Sequence, residues 1–222
     1  YDDGTVSRLA EAHFLVTTTT AMAGGVLSHM EFAAQVLWPE LIVRFLSVSD
    51  QWAQMSIAGP KARTILQAVV EDDISDAAVP FLAARAVRLK GNLRARLFRI
   101  SFSGELAYEL AVPAGYGEAV ADALMQAGAP HGICAYGVEA LNVLRIEKGH
   151  VTHAELDGRV TPDDAGLGRM MAGGKADFIG KRLSTRFGLT AADRAQLVGL
   201  RALEADKDLR AGAHLLKDRA KP

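Results

Sequence analysis

Between Arg85 and Val112 the chain runs through three alternating stretches, RAVRLKG (85–91), LRARLFRISF (93–102) and ELAYELAV (105–112). Apolar side chains at every second position suit strands with one buried face, and three in succession with short links predict an antiparallel meander. The next segment, YGEAVADALMQAG (116–128), sets Tyr116, Val120 and Leu124 on one helical face beside Ala119, Ala123 and Ala127, and ends in glycine. A sheet with one apolar face needs a cover, and this amphipathic helix is placed to give it. YGVEALNVLRIEKG (136–149) predicts a further helix, closed by Lys148-Gly149.

The flanking regions carry the same mixture. HFLVTTTT (13–20) reads as a strand, and VLSHMEFAAQVL has Val26, Met30, Ala33 and Leu37 at helical spacing. LIVRFLSVS (41–49) and WAQMSIAG (52–59) are strand candidates with a bend near Ser49-Asp50, and Gly59-Pro60 opens a helix over KARTILQAVV. The acidic EDDISDAAVP (71–80) is expected to be a solvated loop or short helix. After Gly149, HVTHAELDGRVTPDDAGLG is rich in turn residues and predicts a long, ordered surface excursion. FIGKRLSTRF (178–187) predicts a short helix, QLVGLRAL (196–203) another strand, and a second domain is expected to begin near residue 190. The fold class is α+β, antiparallel sheets with covering helices.

With 222 residues, half of them hydrophobic and 23% charged, the chain can bury a real core. A net charge of -1 leaves no excess of cations for a phosphate backbone or an anionic bilayer, so neither nucleic acid nor membrane is an expected partner. No apolar run reaches spanning length and no leader pattern opens the chain, which predicts a cytoplasmic protein. Cys134 has no zinc-ligand spacing around it and is expected to be a buried small hydrophobe. Tyr1 at the start and the charged end LLKDRAKP predict a piece of a longer chain.

Several common motifs are absent. GLGRMMAGG (166–174) lacks the third glycine of a dinucleotide fingerprint, and no phosphate loop, HExxH pair or GxSxG elbow occurs. The histidines 13, 29, 131, 150, 153 and 214 are scattered; His150 and His153 lack further ligands at motif spacing, so no metal is expected.

The carboxylates say more. A period of two over 105–112 puts Leu106, Tyr108, Leu110 and Val112 on the core face, and leaves Glu105, Ala107, Glu109 and Ala111 opposite. Two alanines beside Glu109 leave room for a flat group on the sheet, and a carboxylate there can accept two parallel hydrogen bonds from an amidine-like edge. The alternative is a solvated face whose glutamates pair with Arg94, Arg96 or Arg99. Asp2-Asp3-Gly4 is a second candidate, or else a frayed turn. Arg145 and Glu147 of LRIEKG read as structural, through an ion pair or a contact to a neighbouring loop.

DDG, IAGPKAR, SFSGELAYEL, GVEALNVLRIEKG, TPDDAGLG and DFIGKR, in that order, resemble the folate-binding aminomethyltransferase family typified by the glycine-cleavage T-protein. EKGHVTHAELDGRVTPDDAGLG resembles the branch formed by the C-terminal part of sarcosine oxidase alpha subunits. The resemblance implies a folate-binding fold over 1–60 and 61–190, the second span completing the site, and the start of an incomplete C-terminal β-barrel domain over 191–222. It implies that Glu109 grips the pterin, that Phe102 keeps an aromatic face where the T-protein has tyrosine, and that Thr19 helps line the folate. Asp3 is implied as the catalytic carboxylate near the folate amine nitrogens, with Asp2 as its fallback. Leu141 stands where the T-protein has arginine, a departure from the glycine-cleavage pattern.

The implied function is capture of the one-carbon unit of a sarcosine-derived imine by tetrahydrofolate, giving 5,10-methylenetetrahydrofolate. A flavin-containing partner subunit would supply the imine in a hetero-oligomer, and FAD, FMN and NAD would belong to other domains or subunits. Two other readings remain: a stand-alone folate-binding relative, either an aminomethyltransferase or an iron-sulfur maturation factor, and a scaffold kept for subunit contacts.

Overall fold

The computed structural model describes residues 2–171, 174–204, 207–210 and 212–213; Tyr1, His214 and the terminal LLKDRAKP lie outside them. The chain divides into two compact units, residues 1–158 and 159–222.

In the first unit, β1 (Gly4–Ala10) and β2 (His13–Thr18) form an antiparallel pair, followed by α1 (Ala23–Phe32), which continues as a π-helical turn over Ala33–Leu37. A four-stranded antiparallel sheet comes next, made of β3 (Trp52–Ala58), β4 (Ala84–Leu89), β5 (Leu93–Phe98) and β6 (Ala107–Pro113) in the order β3-β6-β5-β4. Its helices are α2 (Ala62–Gln67), α3 (Gly117–Gly128) and α4 (Val138–Lys148). The α+β class and most of the expected elements are therefore present.

The core lies on one face of this sheet. Ile57, Val87, Leu89, Ala95, Leu97, Tyr108, Leu110 and Val112 pack there with Ala62 and Leu66 of α2 and Val120 and Leu124 of α3. The period-two reading of β6 thus holds for the core face. Gly117 lets α3 come close, since a Cβ there would sit 2.7 Å from the Cβ of Ala53. The β4–β5 link, Lys90 to Asn92, places Gly91 and Asn92 at φ of 84° and 63°. Glycine and asparagine are the residues that take this left-handed conformation at least cost.

Several expectations need correction. The span 41–49 forms no strand: the Leu41 amide donates to Trp38 O and the Val43 amide to Leu41 O, so local turns take the bonds a ladder would need. Ile42 is 99% exposed. Gly4–Ala10, for which the sequence predicts no element, is a strand. The acidic segment 71–80 is the expected loop, with Glu71, Asp73 and Asp76 exposed, but its apolar residues turn inward. Ile74 and Val79 are fully buried, and Asp76 pairs with Arg63 and Arg99. Cys134 is exposed on an irregular segment rather than buried.

In the second unit, α5 (Lys181–Ser184) is shorter than the helix expected over 178–187, with a 3-10 turn at Phe187–Leu189. Asp164, nearly inaccessible, accepts from Arg194 and from the Thr161 amide, and the Arg194 guanidinium holds its carboxyl well below the usual carboxylate range. The strand expected over 196–203 is absent: the Leu197 amide goes to Asp164 O, and no ladder partner adjoins the segment among the described residues. No strand of a β-barrel occurs among the described residues of 191–222. No helix among the described residues is long and apolar enough to cross a membrane.

Because β6 is flanked by β3 and β5 and Leu110 is fully enclosed, Leu110→Ala should cost about 2–5 kcal/mol in urea titration, while Val138→Ala, exposed on α4, should stay within about 0.5 kcal/mol.

Candidate functional site

The face of the sheet opposite the core carries Glu109. In the observed register, Ser56 of β3 and Phe98 of β5 stand directly beside it, and Gln54 and Arg96 stand beside Ala111. Glu109 is half-buried, and its Oε2 accepts a hydrogen bond from Gln54 Nε2. Burial pushes the Glu109 carboxyl above the ordinary glutamate range, and the Gln54 bond opposes that rise by favouring the ionised form.

The expected arginine pairing with Glu109 does not occur. Arg99 reaches Asp76 and Val79 O, and Arg96 lies over the Trp52 ring at 4.0 Å from its centroid. Trp52 is on β3 and Arg96 on β5, so this cation–π pair spans β6 at the level of Ala111. It also corrects the expectation of open space at both alanines. Ala107 and Ala111 are only 4% and 3% exposed, and at Ala111 the flat group on the sheet is the protein's own guanidinium stacked on indole. The exposed part of Glu109 is therefore flanked on that side by this stack.

The other sequence-predicted positions fall into two further clusters. Asp2 is half-buried and accepts from the Thr19 amide at 3.0 Å and from Thr19 Oγ1 at 3.0 and 3.1 Å. Asp3 is exposed. Phe102 stacks on His150 with centroids 5.6 Å apart, and His150 Nδ1 donates to Phe102 O at 2.9 Å. His150 is held in turn by the end of α4, where the buried Arg145 donates to His150 O and to Glu155. Arg145 thus has the ion-pair and loop contacts expected of it. The structure joins Asp2 to Thr19, while Glu109 and Phe102 each have other partners. Gln54 was missed because nothing in WAQMSIAG marks a strand glutamine as the neighbour of a distant glutamate.

A cavity of about 710 Å³ lies between the end of β3, α2, α3 and residues 131–138. Ser56, Lys61, Leu124, Ile133, Tyr136 and Leu141 line it, but none of the sequence-predicted site residues does. Its walls hold no carboxylate, so its size alone does not make it the reactive centre. Among the described residues no group of three or more His, Cys, Asp or Glu is arranged to hold a metal ion.

Comparison with known proteins bears on this arrangement. The family model described as GCVT N-terminal domain matches residues 1–175. The chain belongs to the GCVT family. Sarcosine oxidase subunit alpha of Rhizobium meliloti (strain 1021) is 64% identical over 217 residues, covering 97% of this chain and 22% of the relative. The subunit of the same name from Corynebacterium sp. (strain P-1) is 41% identical over 222 residues, 99% of this chain and 23% of its own. Human mitochondrial sarcosine dehydrogenase is 36% identical over 177 residues, 74% of this chain and 19% of its own. The chain thus spans less than a quarter of these relatives.

A solved heterotetrameric sarcosine oxidase from Corynebacterium sp. U-96, in complex with pyrrole 2-carboxylate, superposes with a TM-score of 0.48 at 18% identity, covering 60% of this chain and 64% of that one. The likeness to the sarcosine oxidase branch of the family, drawn from the motifs, is borne out by the 64% identity.

The raised Glu109 carboxyl has a definite sign in stability. Folding favours its protonated form, so the cost of burying its charge is absent at low pH and develops as pH rises through the shifted value. Glu109→Gln should therefore match the parent at acid pH and gain on it as pH rises toward neutrality, as read by denaturant unfolding at a series of pH values.

Proposed function

We propose that this chain is the tetrahydrofolate-binding domain of a sarcosine oxidase type enzyme, which captures the one-carbon unit from oxidative N-demethylation as 5,10-methylenetetrahydrofolate. The observation that carries the reading is the half-buried Glu109 carboxylate on β6, held by a neutral amide and free of any arginine, in a chain of the GCVT family.

The donor set fits the substrate. A pterin presents an amino group and an adjacent ring N–H as parallel donors, and a carboxylate accepts such a pair in a fork. Oε1 of Glu109 accepts no hydrogen bond among the described residues, and Oε2 uses one acceptor position on Gln54. Binding of two donors also favours the ionised carboxylate, against the burial that disfavours it. Glu109 would therefore orient the substrate, while Phe102 offers an aromatic edge at the start of the turn before β6.

Asp3, exposed and at the start of β1, would hold or move the proton exchanged at the folate amine nitrogens. Asp2 is the weaker choice for that role because its carboxylate is engaged by Thr19. Thr19 would act on the folate side of the same contact, its hydroxyl already oriented by Asp2. Holding folate and imine together away from bulk water would supply much of the acceleration. In this reading the imine comes from a flavin-containing partner in a hetero-oligomer, and FAD, FMN and NAD belong to parts of the enzyme beyond these residues.

Calorimetric titration of the intact protein with tetrahydrofolate should show Glu109→Gln binding about ten- to a hundredfold more weakly, as expected for loss of a charged hydrogen-bond acceptor. Equal affinities would remove Glu109 from the site. Asp3→Asn should leave that affinity within about twofold while lowering the yield of methylenetetrahydrofolate per sarcosine oxidised by tenfold or more, in the range of a lost general acid–base. An unchanged yield would return Asp3 to a surface role.

A further inference from the structure

Gln54 is exposed, and an exposed glutamine held in one rotamer gives up side-chain freedom comparable to what its hydrogen bond returns. It nevertheless reaches along the sheet to Glu109. In the register it stands opposite Ala111, so the contact runs diagonally across the β3–β6 pair to a residue two positions away.

The opposite flank is arranged in a complementary way. Arg96 also stands beside Ala111, at the mirror diagonal to Glu109, and would be a natural ion-pair partner. Instead it lies on Trp52, 4.0 Å from the ring centroid. A guanidinium on Glu109 would occupy both oxygens in the fork geometry. The amide of Gln54 bonds to Oε2 alone. Glu109 is thus braced without being used up.

We propose that Gln54 is a positioning residue for Glu109: its Nε2 fixes the carboxylate plane and keeps the fork open to a ligand with two parallel N–H donors, while the Trp52–Arg96 stack holds the competing guanidinium away. The inference rests on the reading of Glu109 as the tetrahydrofolate anchor, and adds a residue that acts through it.

The charged groups on the same sheet face of the strands flanking Glu109 are Arg94 and Arg96 on β5; β3 contributes none. Because the Gln54 bond favours ionised Glu109, removing it raises the pH at which the carboxylate is lost on acidification.

The test is tetrahydrofolate binding to the intact protein by calorimetry across pH, for the parent, Gln54→Leu, Glu109→Gln and the double variant, with Gln54→Met as a second removal of the amide. Gln54→Leu and Gln54→Met should each weaken binding about five- to tenfold and move the acid limb of the affinity profile to higher pH. In the Glu109→Gln background the same changes should alter affinity less than about twofold, because the group they act through is gone.

Equal losses in both backgrounds, or no loss in the parent background, would overturn the positioning role while leaving Glu109 as anchor. If Glu109→Gln alone binds as tightly as the parent, the anchor reading fails, and the inference with it.

Discussion

The burial of one face of β6 is the constraint on which the first unit depends. Tyr108, Leu110 and Val112 are wholly enclosed, and the strand lies between β3 and β5, so its backbone amides are consumed in ladders on both sides. A strand held this way has no freedom to rotate its side chains between faces. Every residue that alternates with the core positions is thereby committed to the opposite face. Glu109 lies there because the apolar side requires it, and its partial burial acts on its charge.

The other face shows how arginines near a carboxylate can be kept from it. Arg99 is drawn to Asp76 and the Val79 carbonyl, and Arg96 to the Trp52 ring. Stacking on indole suits a guanidinium because it is weakly hydrated and planar. Asp76 itself is shared by Arg63, whose Nε donates to the buried Tyr108 hydroxyl at 2.7 Å. The loop over 71–80, α2 and the central strand are thus joined through one phenol and one carboxylate, and Arg63, Arg96 and Arg99 are occupied away from Glu109.

Much of the fold was legible because its signals are local. The meander, α3 and α4 arise from periodicity over windows of six to twelve residues, and the core face of β6 from alternation alone. The misreadings turn on which partner each segment's backbone and side chains find, which local pattern does not state. LIVRFLSVS has the composition of a strand but bonds locally at Trp38 and Leu41, and TVSRLA became a strand by pairing with β2. Ile74 and Val79 pack into the distant core, while Arg63 and Arg99 both hold Asp76 between them. At the site, alternation placed Glu109 on its face but said nothing of Arg96 crossing Ala111 to Trp52, or of Gln54. Family likeness singled out Asp3, yet the exposure of Asp3 and the engagement of Asp2 are facts of geometry.

The turn from Lys90 to Asn92 has a reach greater than its size. It sets the phase of β5 against β4, much as a splice junction sets the reading frame downstream of it. One inserted residue that passed its offset along β5 would invert the strand, sending Arg94 and Arg96 into the apolar layer and Ala95 and Leu97 toward Glu109. The chemistry of the carboxylate is therefore hostage to a hairpin loop that never touches it, and length changes at Gly91 would be felt first as a change of polarity around Glu109.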